Sequence, residues 1–174
     1  MHTATLKRNV FRLCLTGHLL GVSVIIGMRF CALVIENQTG HEGLQALASG
    51  RDLTGVLAAR LALPGLLVVI GTGVGMTLVR YGARPPLWVW IKVALTAVAL
   101  VIATPRVAPA LAAARKWAHW SADHNHLAPQ FQDSASQAAF YGAIVFGLFL
   151  LNVPVAVWKP LAAVRFPGHA GPRA

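Results

Sequence analysis

The chain has 174 residues, 56% of them hydrophobic and only 11% charged, with a formal net charge of +10. Soluble domains carry about 25% charged residues, so this shortfall, with a mean hydropathy of +0.62, excludes an ordinary water-soluble domain and points to the membrane. The basic residues punctuate apolar segments and do not interleave with aromatics on one surface, which argues against nucleic acid as a partner and for phospholipid headgroups as the counter-charge.

Crossing a bilayer takes about 20 apolar residues at a rise of about 1.5 Å each. The first segment that qualifies is residues 13–35, preceded by Lys7, Arg8 and Arg12. Its apolar stretch exceeds the roughly 7 to 15 residues of a signal peptide, and no clean small-x-small cleavage site follows, so it is predicted to be a retained helix. Gly17 and Gly21 within it are small residues four apart, a spacing that lets backbones approach closely in lipid. Cys14 and Cys31 are separated by roughly 25 Å of helix and cannot bridge each other.

An outer connection, 36–60, follows. In its "NQTGHEGLQALASGRD", Leu44, Leu47 and Ala48 are spaced for a short amphipathic helix at the interface. The second span is 61–79, with Pro64 near its start and the Gly71/Gly75 pair inside. A short "RYGARPP" turn makes the third span, 87–104, its antiparallel neighbour. Pro105 and Pro109 argue against simple continuation of that helix, so "VAPALAAARKWAHW" in the outer connection 105–137 is expected to form a separate interfacial helix. The fourth span is 138–158, capped or kinked at Pro154. The expected fold class is all-α: a four-transmembrane-helix bundle forming one integral membrane domain over residues 1–174.

Charge sets the expected orientation. One side carries Lys7, Arg8, Arg12, Arg80, Arg84, Lys159, Arg165 and Arg173. The other carries Arg51, Arg60, Arg106, Arg115 and Lys116 with all five acids, Glu36, Glu42, Asp52, Asp123 and Asp133. The positive-inside rule places both termini in the cytoplasm, in what is expected to be a bacterial inner membrane. Tyr81, Trp88 and Trp90 at the inner end, and Trp117, Trp120 and Tyr141 towards the outer end, suit interfacial aromatic belts.

Ionisable groups in hydrocarbon are expensive and by default functional. Counted from the inner ends, His18 and Lys92 lie roughly 8 Å deep, Asn152 roughly 9 Å and Thr72 roughly 10 Å, one polar layer to which each helix contributes. Such a layer suits a cofactor or quinone headgroup held by facing side chains. The plainer alternatives are that Lys92 snorkels and that His18 is a neutral imidazole bonded to Asn152 or a threonine hydroxyl. Arg29 returns to the His18 face roughly 16 Å further out. It is expected to reach the interface and pair with Glu36, or to clamp a haem propionate or lipid phosphate.

A second constellation lies in "HWSADHNH". His119, Asp123, His124 and His126 supply three imidazoles and a carboxylate, a donor set suited to copper among other metals. Its spacing is not one of the strong zinc signatures, and an exposed polar loop is the alternative. His2, His41 and His169 are isolated. No CxxCH, Walker loop, GxSxG or HExxH is present, so catalytic residues stay unassigned.

"GHLLGVSVIIGMRF" resembles the first helix of small four-helix membrane families related to the copper-resistance D proteins, the J-type protoporphyrinogen oxidases of haem synthesis, and further integral membrane proteins. Those families place a histidine early in helix one, a tryptophan seven residues later and a glycine about nine later. His18 and Gly27 fit that spacing, whereas Ile25 stands where the tryptophan falls. "PPLWVWIK" supplies the third-helix lysine as Lys92, and "GTGVG" resembles the threonine-glycine pair at Thr72 and Gly73. The resemblance implies haem or copper as ligands.

Two function classes follow. In one, the chain is a redox-type membrane protein binding haem b, a porphyrin or a quinone: His18 is the axial ligand or contact, Lys92 and Arg29 neutralise carboxylates, and Asn152 or Thr72 orients the imidazole. The chain has no second intramembrane histidine, so a haem here is five-coordinate, uses another axial ligand or is shared with a partner. In the other class, the chain is a non-catalytic accessory subunit of a larger membrane complex, or a copper-handling protein served by its outer loop.

Overall fold

In a computed structural model of the chain, residues 2–82 and 84–159 are described, with side chains from Thr5 onward. Arg165, His169 and Arg173 lie outside the described residues, as does the His2 side chain. The described residues form four helical rods. The first is α1 (His2–Thr39). The second joins α2 (Leu44–Leu57) through a π-helical turn, Ala58–Ala62, to α3 (Leu63–Tyr81). The third joins α4 (Leu87–Ile102) through a second π turn, Ala103–Val107, to α5 (Ala108–His124). The fourth is α6 (Pro129–Trp158). All four rods are long and apolar enough to cross a membrane.

The rods are longer than a bilayer requires. The 38 residues of α1 extend about 57 Å, against a hydrocarbon core of about 30 Å. In α1 most of the surplus, residues 2–12, lies at the basic end, whereas in the other three rods it lies beyond the apolar segments at the end that carries all the acids, here termed the far tier. The expected outer connections 36–60 and 105–137 are therefore corrected: they are mostly continuations of the membrane helices, and the true turns are confined to a few residues around 40–43 and 125–128. Gly43, with φ +107°, and Asn125, with φ 49°, take left-handed backbone at those turns.

Pro105 and Pro109 do not end the third rod, because the helix widens instead of breaking. A proline ring strikes the carbonyl four residues back in an α-helix, and a π turn adds a residue where that clash would fall. The Ala108 N–H donates to the Ala103 carbonyl, five residues back, immediately before Pro109. The Leu63 N–H donates in the same way to Ala58, immediately before Pro64. Both π turns fall where the apolar segments give way to the far tier, and each carries one arginine, Arg60 or Arg106.

In the membrane tier the helices associate as two pairs, α1 with α3 and α4 with α6. Glycine sets the first contact. A Cβ at Gly21 would meet Val69 Cγ2 at 2.8 Å and the Gly65 carbonyl oxygen at 3.1 Å, and one at Gly75 would meet Cys14 Sγ at 3.0 Å. Gly17 packs on Thr72 in the same way, whereas Gly71 faces open space and plays no part. Both cysteines are free thiols. Long side chains bridge the two pairs: Phe30 meets Phe146 edge-to-face with centroids 6.3 Å apart, and the Arg29 guanidinium lies beside Gly142.

The far tier is built differently. Ala48 of α2, Ala114, Ala118 and Ala122 of α5, Ala128 and Phe131 form a buried cluster, with Leu44, Leu47, Trp117 and Ala135 packed around it. Small side chains let three helices approach at once. Ser121 is fully buried, donates to the Trp117 carbonyl at 2.7 Å and accepts from the Ala128 N–H at 2.9 Å, which fastens α5 to the start of α6.

Candidate functional site

The polar layer of the membrane tier starts from His18 on α1. Its Nδ1 lies 3.0 Å from the Val69 carbonyl oxygen and 3.2 Å from Thr72 Oγ1, both on α3. A carbonyl can only accept, and the Thr72 hydroxyl already donates to the Val68 carbonyl. The proton of a neutral His18 imidazole therefore sits on Nδ1, and the Nε2 lone pair has no partner among the described residues. Of the two bonding partners expected for His18, threonine is the one it meets. Asn152 instead donates from Nδ2 to the Leu148 carbonyl of its own helix at 3.1 Å.

The close α1–α3 contact makes this geometry possible. Thr72 and Val69 are three residues apart and share a face of α3, and Gly73 leaves the His18 ring in ordinary contact at 3.5 Å from where a Cβ would lie. Val69 was not legible as a site residue, because it contributes a backbone oxygen and no side-chain signal; its only trace is the placement of Thr72 three positions on.

Lys92 reaches the layer from α4. It is half-buried, lies within Coulombic range of His18 and has no ion-pair partner among the described residues. The Asn152 Oδ1 atom is buried with no hydrogen-bond partner. Buried acceptors are almost always satisfied, so this oxygen leaves room for a donor. His18 and Thr72 thus touch, Lys92 stands within electrostatic reach, and Asn152 brings an unspent acceptor. Arg29 stands apart, beside Gly142 further along the bundle.

The expected Arg29–Glu36 ion pair does not form. Glu36 is taken by Arg51 at 2.7 Å, because α2 folds back along α1 and brings a second guanidinium to the same carboxylate. Arg51 also lies over the Phe131 ring, 5.4 Å from its centroid, tying α1, α2 and α6 together.

The structure separates the far-end histidines. His119 Nε2 is 2.9 Å from Asp52 Oδ1, an oxygen that also accepts from Arg115 Nε at 2.6 Å. The His124 Nδ1 bonds the Trp120 carbonyl at 2.8 Å, and its ring stacks on Trp120 with centroids 4.1 Å apart. His126 lies in the turn beyond α5 and Asp123 is exposed. Among the described residues no three His, Cys, Asp or Glu side chains converge as a metal site requires. Asp52 lies in the far tier, beyond the membrane-crossing segment 61–79. Hydrogen bonds from His119 and then Arg115 hold its carboxyl below the usual carboxylate range.

These features define an all-α integral membrane protein, a four-helix bundle in contact with a lipid bilayer. No protein-family model matches the chain, nor does any curated protein or solved structure. The resemblance to the copper-resistance D and J-type oxidase families therefore rests on the short motifs around His18, Thr72 and Lys92.

Proposed function

We propose that the protein is a redox-type integral membrane protein that holds haem b, or a related porphyrin or quinone, in the polar layer between its two helix pairs, with both termini on the cytoplasmic face of a bacterial inner membrane. The observation that carries the reading is the His18 tautomer: Nδ1 is committed to Val69 and Thr72, and Nε2 is free to ligate. A metal-binding histidine usually has this form, its second nitrogen donating to a carbonyl that fixes the ring. The donor set fits the group. His18 Nε2 would hold the iron, Lys92 would neutralise a carboxylate, and Asn152 Oδ1 would accept from a protonated ligand oxygen or a water. When bound, the haem supplies one-electron chemistry. The chain's own part is to orient the imidazole through α3, to offset ligand charge with Lys92, and to keep the group within the bundle. The eight-to-five split of basic residues supports the orientation.

A second reading is an accessory subunit of a larger membrane complex. It is favoured by the single histidine within the predicted spans, since a bis-histidine haem would need its second histidine from a partner. The copper reading draws no support from the separated far-end histidines.

Protein isolated from its native membrane is expected to show a Soret band that His18→Ala abolishes while helical content by circular dichroism is unchanged. Added imidazole restores part of the band if the lost group was the ligand. A colourless wild type, expressed with ample haem and its native partners, sinks the haem assignment; organic extraction of the same sample then reads for a quinone.

A further inference from the structure

The end of the bundle that carries the N-terminus and the α3–α4 turn holds Lys7, Arg8, Arg12, Arg80 and Arg84, and the sequence places no Asp or Glu there. All five acids belong to the far tier, one bilayer away. The charge at this end cannot be met by the chain's own carboxylate side chains. Between α1 and α3 lies a cleft of about 290 Å³ lined by Lys7, Arg8, Phe11, Val79 and Arg80. Arg80 is held in place from two sides, its guanidinium 5.8 Å from the Phe11 centroid and 5.6 Å from that of Tyr81. Stacking on aromatic faces leaves the N–H edge of the guanidinium free, and that edge matches the oxygens of a phosphate.

We propose that this cleft is a binding site for the phosphate of an anionic phospholipid, with Arg80, Lys7 and Arg8 around the phosphate and Phe11 and Val79 against the glycerol and first acyl carbons. Position selects a lipid over a soluble ion. The apolar spans begin at residue 13 on α1 and end at residue 79 on α3, so the cleft lies at headgroup depth, with basic walls on one side and apolar walls towards the hydrocarbon. Basic pockets between membrane helices bind anionic headgroups on this principle.

The test reconstitutes the full-length protein in nanodiscs of mixed phosphatidylglycerol and phosphatidylcholine and counts the lipids retained on release by native mass spectrometry. Wild type is expected to retain phosphatidylglycerol in preference to phosphatidylcholine. The K7Q/R8Q/R80Q variant is expected to lose that preference by on the order of fivefold per charge removed. R60Q/R106Q/R115Q removes the same charge elsewhere and is expected to keep the preference. R80K, which preserves charge and tests folding, retains an intermediate preference, and R80Q alone gives the reading if the triple variant misfolds. Equal losses in the two triple variants, or equal retention of both lipids by wild type, overturn the site. Displacement of the lipid by millimolar inorganic phosphate identifies a free-phosphate site and overturns the lipid assignment.

Discussion

The two tiers of this bundle are held together by different means, although the same helices run through both. In the membrane tier large apolar side chains point outward: Leu67 is 65% exposed and Val101 70%. Lipid is as apolar as leucine, so this exposure carries no cost, and association depends on close backbone approach and on scarce polar contacts. In the far tier, alanines with no exposed surface, a buried serine and ion pairs repeat the means by which water-soluble helices pack. The lesson is that a helix changes its packing rules with its solvent, and in the second and third rods the change falls at a π turn.

The largest expected effect comes from breaking the membrane tier alone. Gly21→Leu forces a branched side chain into Val69 and the Gly65 carbonyl, and overpacking against backbone costs about 3 kcal/mol or more. The variant should unfold at markedly lower denaturant in mild detergent and disturb His18, which shares the α1–α3 contact. An unchanged unfolding midpoint means that glycine does not set this contact.

Ser121→Ala tests the far tier. It strands the buried Ala128 N–H, at about 1 to 3 kcal/mol, and hydrogen exchange should quicken at the α5–α6 turn while the α1–α3 pair stays protected. Loss of protection throughout would show that the tiers fold as one unit.

Glu36→Gln keeps the shape but removes the charge that Arg51 pairs with. A hydrogen bond to a charged group contributes about 1.5 to 3 kcal/mol, and the partial exposure of this pair puts the effect at the low end. The variant should loosen α2 from α1 without altering any ligand bound near His18, which spectroscopy in the membrane tier checks.

The smallest effect belongs to Asp52. Its carboxyl is held below the usual range in the folded protein, so it binds its proton more readily when unfolded. The resulting stability is present above the unfolded carboxylate pKa, roughly 3.9, and fades as pH falls through the lower folded value. An acid titration should therefore weaken the α2–α5 link before the membrane tier responds, and Asp52→Asn should flatten that response. The groups are exposed, so the change is expected within the small range typical of surface ion pairs. An identical acid response in the variant would mean that Asp52 does not link α2 to α5.

Four apolar segments, their number and their order were legible in the sequence, and so was a threonine hydroxyl as a partner of His18. The lengths of the helices were not. Pro105 and Pro109 read locally as a stop, because a proline in isolation costs a helix its hydrogen bond and adds a clash; the π turn that absorbs them is a response of the assembled rod. The Arg29–Glu36 pairing was plausible along one helix, but pairing is a competition among all nearby cations, and Arg51 arrives from α2. The spacing of His119, His124 and His126 likewise said nothing of Asp52, which draws His119 to α2 from 67 positions away in sequence.

Sequence by itself determined what depends on composition and periodicity: membrane residence, four spans, the concentration of acids at one end, and a histidine set within an apolar segment. Tertiary structure decided which partner each polar group receives. The Val69 carbonyl and the Thr72 hydroxyl orient His18, and Arg51 takes Glu36. Lys7, Arg8 and Arg80 share a cleft because α1 and α3 pack side by side, with Cys14 against Gly75 one turn further in. Burial follows the local chemistry of a segment, whereas partner choice depends on distances that exist only once the helices have packed.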